Sequence, residues 1–196
     1  MLSRPMLTER FAEAAQYAIE LHRGQTRKGS AIPYVTHLFA VCSLALEDGG
    51  SEDEAIAALL HDGPEDQGGQ AVLDEIRARF GDEVASIVAG LSDAMPAPGE
   101  EKPPWRERKE AYLRHLAAAP DSVLRVALAD KLHNARSILV DLGIVGEAVW
   151  DRFNAARVDQ AWYLARLLAI FRERLPGSRN LPALASVLGE LFPQPQ

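Results

Sequence analysis

The chain has 196 residues, of which 47% are hydrophobic, and a formal net charge of −7 at pH 7. This length and apolar content favour one domain with a substantial core and exclude a disordered chain, while the negative charge argues against general binding to nucleic acids or anionic membranes, which need a basic partner. The single cysteine, Cys42, rules out an intramolecular disulfide and no apolar run is long enough to span a membrane, so we expect a cytoplasmic protein.

Helix signals follow one another along the first half of the chain. Thr8 is a typical N-cap residue, and Ser51-Glu52-Asp53-Glu54 has the pattern of a capping box, so both mark helix starts. Glycines after the apolar periodic segments mark helix ends. The helices predicted here run from Thr8 to Leu21, from Tyr34 to about Glu47, from Ser51 to Asp62, from Ala71 to Phe80 and from Glu83 to Gly90.

The second half continues in the same way. Residues 93–104 are rich in proline, glycine and charge and predict a loop. No alternating strand pattern and no internal repeat is present, so we predict an all-α fold, a compact multi-helix bundle that forms a single domain over residues 1–196. The helices predicted in this half run from Trp105 to Leu116, from Val123 to Leu139, from Gly146 to Leu175 as one long helix, and from Leu181 to Leu191.

The most informative motif is the pair His61-Asp62, which is followed by two more acids, Glu65 and Asp66. It comes directly after the apolar run Ala55–Leu60, and the two acids lie three and four positions after Asp62, on the same face of a continuing helix. Without a cation, four ionisable groups crowded at the end of an apolar helix would repel and desolvate one another. The alternative is an exposed helix end with solvated charges, which would need no partners elsewhere in the chain.

Partners for this motif are present. His37 lies near the start of the predicted second helix, and Asp130 follows four mostly apolar residues in a strongly amphipathic run. A carboxylate inside such a run is costly to bury unless it is paired or bound to a metal, and imidazoles and carboxylates are both ligands for divalent cations. We therefore predict a hydrolytic site in which one divalent cation is held by His37, His61, Asp62 and Asp130, with positions left open for water.

Four local motifs carry a resemblance to a known family. In chain order they are His22-Arg23-Gly24-Gln25-Thr26-Arg27-Lys28-Gly29, Pro33-Tyr34-Val35-Thr36-His37, His61-Asp62-Gly63-Pro64-Glu65-Asp66 and Leu128-Ala129-Asp130-Lys131-Leu132-His133-Asn134. They resemble the HxGQxRK, PYxxH, HDxxED and LADxLHN segments of the HD superfamily of metal-dependent phosphohydrolases. More narrowly, they are similar to the hydrolase domain of RelA/SpoT proteins and their small stand-alone relatives. The motifs span residues 22–136, and the resemblance implies an HD-domain-like bundle on which the helices of residues 146–192 pack.

Two residues within these motifs carry further expectations. Pro64 is unusual inside its motif and predicts a kink or a helix end beside the metal, because proline removes a backbone hydrogen-bond donor. His133 lies beside Asn134 but is expected to point away from the site, as a core or surface histidine.

The resemblance implies roles for the motif residues. Mn²⁺ is the usual ion of the family, and the bond that is cleaved joins a ribose 3′-oxygen to a diphosphate. Glu65 and Asp66 are then candidates for general acid and base, and the sequence leaves open which is which. Arg27 and Lys28 resemble the family's nucleotide-binding pair. Asn134, one helical turn after the predicted ligand Asp130, can reach the ribose or a metal ligand.

The implied function is Mn²⁺-dependent hydrolysis of the 3′-pyrophosphate of guanosine tetra- or pentaphosphate (ppGpp or pppGpp), which yields GDP or GTP. One alternative is hydrolysis of another nucleotide ester, such as the 2′-phosphate of NADPH or a nucleoside monophosphate. A second is a non-catalytic nucleotide sensor, although the retention of both Glu65 and Asp66 argues against it. The expected partner is a small nucleotide, and the sequence leaves open a second metal ion and the formation of a homo-oligomer.

Overall fold

The computed structural model describes residues 7–92 and 103–193, and these residues are mainly helical. The isolated β-bridge between Thr26 and Pro33 is the one extended pairing among them. The all-α prediction is confirmed, whereas most of the loop predicted at 93–104 lies outside the described residues. In the described ranges the α-helices are α1 (Glu9–Leu21), α2 (Val35–Glu47), α3 (Glu52–Leu60), α4 (Gly69–Phe80), α5 (Asp82–Leu91), α6 (Trp105–Ala118), α7 (Asp121–Val145), α8 (Arg157–Arg174) and α9 (Asn180–Leu191).

Helix α3 lies at the centre of the fold. Every residue from Ala55 to Leu60 is fully buried, so the helix is apolar on all sides, and it contacts α1, α2, α5 and α7. An α-helix without a polar face is stable only when other helices surround it. The long α7 is the second central element, because it packs against α2, α3, α5, α8 and α9. Among the described residues, no helix is both long and apolar enough to span a membrane.

The N-terminal caps of α1 and α3 are those that the sequence predicts. The Thr8 hydroxyl accepts a hydrogen bond from the Arg10 N–H at 3.3 Å. Before α3, the Ser51 hydroxyl accepts from the Glu54 N–H at 3.3 Å, and the Glu54 carboxylate accepts from the Ser51 N–H at 2.7 Å. This reciprocal pair satisfies two backbone donors at the start of the central helix, so the predicted capping box is confirmed.

Pro64 changes the helix geometry directly after the His61-Asp62 pair. Residues Pro64–Gly68 form a π-helix with the proline at its first position, where a missing N–H costs nothing. The chain therefore departs from α-helical geometry at the point where the two following acids are placed. Of the kink or helix end predicted from Pro64, the structure shows the helix end, because α3 stops at Leu60 and a π-helix starts at the proline.

The segment after α7 differs from the prediction, because the single helix expected over residues 146–175 is wrong. Gly146 has a φ of 63°, a left-handed conformation that favours glycine, and it ends α7. A 3₁₀-helix follows over Gly146–Arg152, and α8 begins only at Arg157. The buried ring of Trp150 anchors the 3₁₀-helix by packing against two phenylalanine rings. Apolar residues continue across this break, so their spacing does not reveal it.

Loss of the capping box gives a test of how α3 is stabilised. We expect Ser51→Ala to lower the free energy of unfolding by about 1 kcal/mol, because the Glu54 N–H loses the hydroxyl that accepts its hydrogen bond. Ser43→Ala is the matched control, since Ser43 is exposed within α2 and bonds only to the side chain of Glu47 among the described contacts. Urea unfolding followed by circular dichroism measures both variants. Equal stability of the two variants would contradict the role of the cap.

Candidate active site

Three helices bring the predicted metal ligands together. His37 lies in the first turn of α2, His61 and Asp62 directly follow α3, and Asp130 lies within α7. His37 Nε2 is 3.5 Å from Asp62 Oδ2 and 3.3 Å from Asp130 Oδ1, whereas His61 Nε2 is 3.0 Å and 3.8 Å from the same two oxygens. Neighbouring ligands around a cation bonded at about 2.1 Å lie roughly 3 Å apart. The four side chains therefore have the spacing of a divalent-metal site, and three of them, His37, His61 and Asp62, have ligand atoms mutually within 4.8 Å.

The ligand atoms converge on a common point instead of bonding to one another. His61 Nε2 is buried and has no hydrogen-bond partner with suitable geometry, although Asp62 is near. The other ring nitrogen, Nδ1, lies 2.9 Å from the backbone carbonyl oxygen of Ala58. Because a carbonyl only accepts hydrogen bonds, Nδ1 carries the hydrogen, and in the neutral ring Nε2 keeps its lone pair for a metal.

The second imidazole, His37, is oriented by His133. Their Nδ1 atoms are 2.8 Å apart, so one of them donates and the other accepts. Burial and the neighbouring side chains of His37 and Arg27 lower the pKa of His133 to about 4, so His133 is neutral at pH 7 and can accept. His37 Nδ1 then donates, which leaves its Nε2 available as a ligand. The expectation that His133 points away from the site was wrong, because its ring is in contact with His37.

Charges in the site are strongly coupled. Burial opposes ionisation of both carboxyl groups, but His61 and His37 hold the pKa of Asp62 well below its usual range, and Lys131 and the two imidazoles do the same for Asp130. Burial would lower the pKa of His61, yet the two facing carboxylates raise it well above its ordinary value. Without a metal, a protonated His61 partly balances the two carboxylates. A divalent cation between these groups would replace that proton.

Three further polar side chains hold the two carboxylates in place. The Tyr34 hydroxyl donates to Asp62 Oδ2 at 2.6 Å, the Asn134 amide donates to Asp130 Oδ1 at 2.5 Å, and the Lys131 ammonium donates to Asp130 Oδ2 at 2.6 Å. Burial and the charge of Asp62 raise the pKa of Tyr34, so the hydroxyl keeps its proton and remains a donor. Tyr34 and Lys131 were missed as site residues. Their places inside two of the motifs were the available signal, but motif membership does not reveal which atoms bond.

The two predicted acid/base residues lie in different surroundings. Glu65 lines a small cavity of about 70 Å³ together with three of the four ligands. Asp66 is exposed, and its Oδ2 accepts a hydrogen bond from the Gln25 side-chain amide at 2.7 Å. The π-helix that starts at Pro64 carries both acids. The structure thus brings Glu65 into the cavity beside the ligands and leaves Asp66 outside its lining.

A larger cavity of about 740 Å³ adjoins the small one, and the two share Lys109, Lys131 and Tyr163 in their linings. This volume is typical of a small-molecule site. Among the described residues that line it, Asp141 is the single acid, and its carboxylate accepts from Arg152 at 2.5 Å. All three predicted substrate-binding residues, Arg27, Lys28 and Asn134, line this cavity. The basic lining residues are Arg27, Lys28, Lys109, Lys131, Arg136 and Arg152.

The loop that carries Arg27 has a fixed backbone. The Arg27 N–H donates to the carbonyl of Ile32 at 2.8 Å, and the Ser30 N–H donates to the carbonyl of Arg27 at 3.0 Å. Gly29 has a φ of 74°, and a Cβ at this position would lie only 2.8 Å from Arg152 Nε. Glycine therefore fits here for two reasons, its backbone conformation and the close approach of the guanidinium. The loop forms part of the lining of the large cavity through Arg27, Lys28 and Ser30.

The fold is a helical domain, and its His/Asp cluster is a candidate divalent-metal centre. The chain belongs to the HD domain family, whose model matches residues 14–160, a range that includes all four ligands. A solved structure described as a metazoan ortholog of SpoT that hydrolyzes ppGpp superposes with a TM-score of 0.74 and 26% sequence identity, covering 93% of this chain and 95% of that chain. A crystal structure of a Listeria monocytogenes protein gives a TM-score of 0.68 at 26% identity, covering 81% and 99% of the two chains.

Sequence relatives agree with this assignment. The guanosine-3′,5′-bis(diphosphate) 3′-pyrophosphohydrolase MESH1 of Xenopus tropicalis is 36% identical over 129 residues, which cover 64% of this chain and 68% of the relative. The protein of the same name from Homo sapiens is 33% identical with the same coverage. A GTP pyrophosphokinase of Streptomyces antibioticus is 39% identical over 128 residues, but these make up only 14% of that longer protein. The HD domain implies a divalent metal ion, and the cluster described above can hold one.

Removal of one carboxylate tests the ligand set. We expect Asp62→Asn to weaken binding of Mn²⁺ at least about tenfold, because a charged oxygen that lies within 3.5 Å of both imidazoles is lost. Asp74→Asn is the matched control, since this aspartate is exposed on α4 and pairs with Arg77. Metal content after dialysis and isothermal titration with Mn²⁺ provide the measurement. Retention of wild-type affinity in the folded Asp62→Asn protein would exclude Asp62 as a ligand.

The raised pKa of His61 predicts how metal binding depends on pH. The metal-free site holds a proton on His61 up to a pH well above the ordinary range of a histidine, and a metal ligand must be unprotonated. Affinity should therefore rise with pH, by about tenfold per pH unit while one proton is displaced, and level off above the pKa in the folded protein. Asp62 and Asp130 have lowered pKa values and are already ionised near neutrality, so they release no proton when a metal binds. Calorimetric titrations with Mn²⁺ between pH 6 and 8, in buffers of different ionisation enthalpy, measure the number of protons released on binding. Release of no proton at pH 6 would contradict the displacement of a proton from His61.

Proposed function

We propose that this protein is a Mn²⁺-dependent hydrolase that removes pyrophosphate from the 3′ position of ppGpp or pppGpp and yields GDP or GTP. The observation that carries the proposal is a set of two imidazoles and two carboxylates beside a cavity that six basic side chains line. Such a cavity in a chain of net charge −7 favours a small polyanion, because positive potential is concentrated there. Relatives that carry the name of a 3′-pyrophosphohydrolase support the choice of substrate.

The chemistry of the donor set supports Mn²⁺. Imidazole nitrogen and carboxylate oxygen suit divalent ions of intermediate hardness, and no thiolate is among the four side chains to favour a softer metal. We propose that His37, His61, Asp62 and Asp130 hold the ion. When bound, it would lower the pKa of a water molecule and stabilise negative charge on a phosphoryl oxygen.

Glu65 is the proposed group for proton transfer. In the reaction, the oxygen of water bonds to phosphorus, the bond from phosphorus to the ribose 3′-oxygen breaks, and the proton lost by water must be matched by one gained by the leaving oxygen. A carboxylate in the small cavity can accept the first proton and supply the second. Asp66 bonds to Gln25 outside this cavity, and we propose that it contributes by fixing the π-helix that carries Glu65.

Basic residues are proposed to bind the phosphate groups. Lys109 and Lys131 line both cavities, so the phosphates next to the metal ligands would lie between them. Arg27 and Lys28 line only the larger cavity, where the planar guanidinium can stack on a base and the ammonium can bind a phosphate. Asn134 is close enough to Asp130 to contact the ribose beside the metal.

We also propose that residues 1–196 work as one domain. A single cluster of buried side chains extends from Ala14 in α1 to Leu191 in α9. The segments after the motif region supply lining residues of the large cavity, among them Val149 and Tyr163. Separation of the helices after residue 146 would therefore open the cavity.

The decisive assay measures release of pyrophosphate and GDP from ppGpp, in the presence of Mn²⁺ or EDTA. We expect turnover with Mn²⁺ and none with EDTA. Glu65→Gln should lower kcat by roughly 10²- to 10⁴-fold while Mn²⁺ affinity is kept, because proton transfer is lost. Asp62→Asn should lose both activity and metal binding, and Asp74→Asn should retain both.

The same assay includes NADPH and a panel of nucleoside monophosphates. Turnover of one of these esters, but not of ppGpp, would keep the site and replace the substrate. Tight binding of ppGpp to the folded, Mn²⁺-loaded protein without any turnover would replace the hydrolase with a nucleotide sensor. Activity of Glu65→Gln equal to that of the wild type would remove Glu65 from the proposed mechanism.

A further inference from the structure

Arg27 contacts two of the three side chains that donate hydrogen bonds to the carboxylates of Asp62 and Asp130, namely Asn134 and Tyr34. Its Nη2 donates to Asn134 Oδ1 at 2.8 Å, and its guanidinium carbon lies 5.6 Å from the centre of the Tyr34 ring. Asn134 in turn donates to Asp130 and Tyr34 donates to Asp62. One cation outside the ligand set is thus linked to both carboxylates through a single intervening side chain each.

The bond to Arg27 determines how the Asn134 amide can face Asp130. A side-chain amide has one accepting end and one donating end. With the guanidinium at the oxygen, the NH₂ group must face the carboxylate, and the donated bond fixes Asp130 Oδ1, the oxygen that faces both imidazoles. A rotated amide would place its oxygen against the carboxylate and repel it. Arg27 therefore selects the amide orientation that presents Asp130 to a metal.

The position of Arg27 is itself fixed by the loop. Backbone hydrogen bonds to Ile32 and from Ser30 hold Arg27, and the approach of Gly29 to Arg152 fixes the neighbouring turn. The packing of the guanidinium near Tyr34 adds a cation–π contact, and the opposite partner of the Tyr34 ring is the stacked imidazole of His22 at 5.3 Å between centroids. Backbone hydrogen bonds and the contact with the Tyr34 ring therefore determine the position of the guanidinium.

We propose that Arg27 is a positioning residue of the metal centre. Through Arg27, the binding of an anion in the large cavity is coupled to the affinity of the site for a metal. Only Nη2 serves Asn134, so the other N–H groups of the guanidinium can bind an anion in the cavity while the amide remains oriented. Such an anion would also offset the repulsion between Arg27 and a bound cation. Anion binding and metal binding should then strengthen each other by the same factor. The inference uses the proposed ligand set but does not depend on which nucleotide is hydrolysed.

Loss of the Arg27 charge and loss of its hydrogen bond to Asn134 should change the affinity for Mn²⁺ in opposite directions, so the two roles of Arg27 can be told apart. Removal of a positive charge near a cation site should by itself tighten metal binding, because it reduces repulsion. Removal of the bond that orients Asn134 should weaken it. We expect Arg27→Ala to raise the dissociation constant for Mn²⁺ at least about threefold, since side chains that support ligands affect metal affinity by about 10- to 100-fold and Arg27 acts through one of them.

Lys28→Ala is the matched control, because Lys28 is the adjacent residue, lines the same cavity and carries the same charge. We expect Lys28→Ala to leave the dissociation constant unchanged or lower. Arg27→Lys keeps the charge without the planar fork and should fall between Arg27→Ala and the wild type. All are measured without nucleotide, by electron paramagnetic resonance of free Mn²⁺, beside urea unfolding to establish that each variant is folded.

A double-mutant cycle with Asn134→Ala locates the effect. In the Asn134→Ala protein, Arg27→Ala should no longer weaken Mn²⁺ binding, because the amide through which it acts is gone. Equal dissociation constants for Arg27→Ala and Lys28→Ala, or the same weakening by Arg27→Ala with and without Asn134, would overturn the inference. Loss of ppGpp turnover alone would not overturn the inference about Arg27. Unchanged Mn²⁺ binding in Asp62→Asn would remove the metal site on which both proposals rest.

Discussion

The buried Asp130 and the partly buried Asp62 face the same two imidazoles at the point where α2, α3 and α7 meet, and the mutual repulsion of their carboxylates is the constraint on the surrounding structure. Each carboxylate needs hydrogen-bond donors, and Tyr34, Asn134 and Lys131 supply them. These donors compensate only part of the cost of burying two negative charges. A divalent cation held by the predicted ligands would complete the compensation, and its binding would then stabilise the packing of the three helices.

The predicted metal ligands lie on or beside helices, whereas two of the proposed nucleotide-binding residues lie on a loop. All four predicted ligands lie on or directly beside α2, α3 and α7, and the contacts between these helices fix their positions relative to one another. The residues proposed to bind the nucleotide include Arg27 and Lys28, which lie on a loop. That loop is closed by its own backbone hydrogen bonds and is packed on Arg152, so it behaves as an extension of the rigid scaffold.

The sequence was sufficient for features that depend on local rules and not for those that depend on contacts between distant segments. Thr8 and Ser51 mark helix starts through bonds to residues two and three positions away, so both could be predicted. The break in helix after Gly146 depends on tertiary packing of Trp150, which apolar spacing does not encode. His133 was misjudged for the same reason, because its partner His37 is 96 positions away.

Charge is separated within this acidic chain in a way that favours a small anionic ligand over a large one. Six basic side chains line the large cavity, and Asp141, the one acid among its described lining residues, is already neutralised by Arg152. The chain as a whole, with a net charge of −7, repels extended polyanions, whose binding needs a basic surface over many contacts. A nucleotide can reach the concentrated positive potential with little exposure to this repulsion. Arg27 lies in this lining and also bonds to Asn134, so an anion bound in the cavity would offset the repulsion between its guanidinium and a cation held by the two carboxylates.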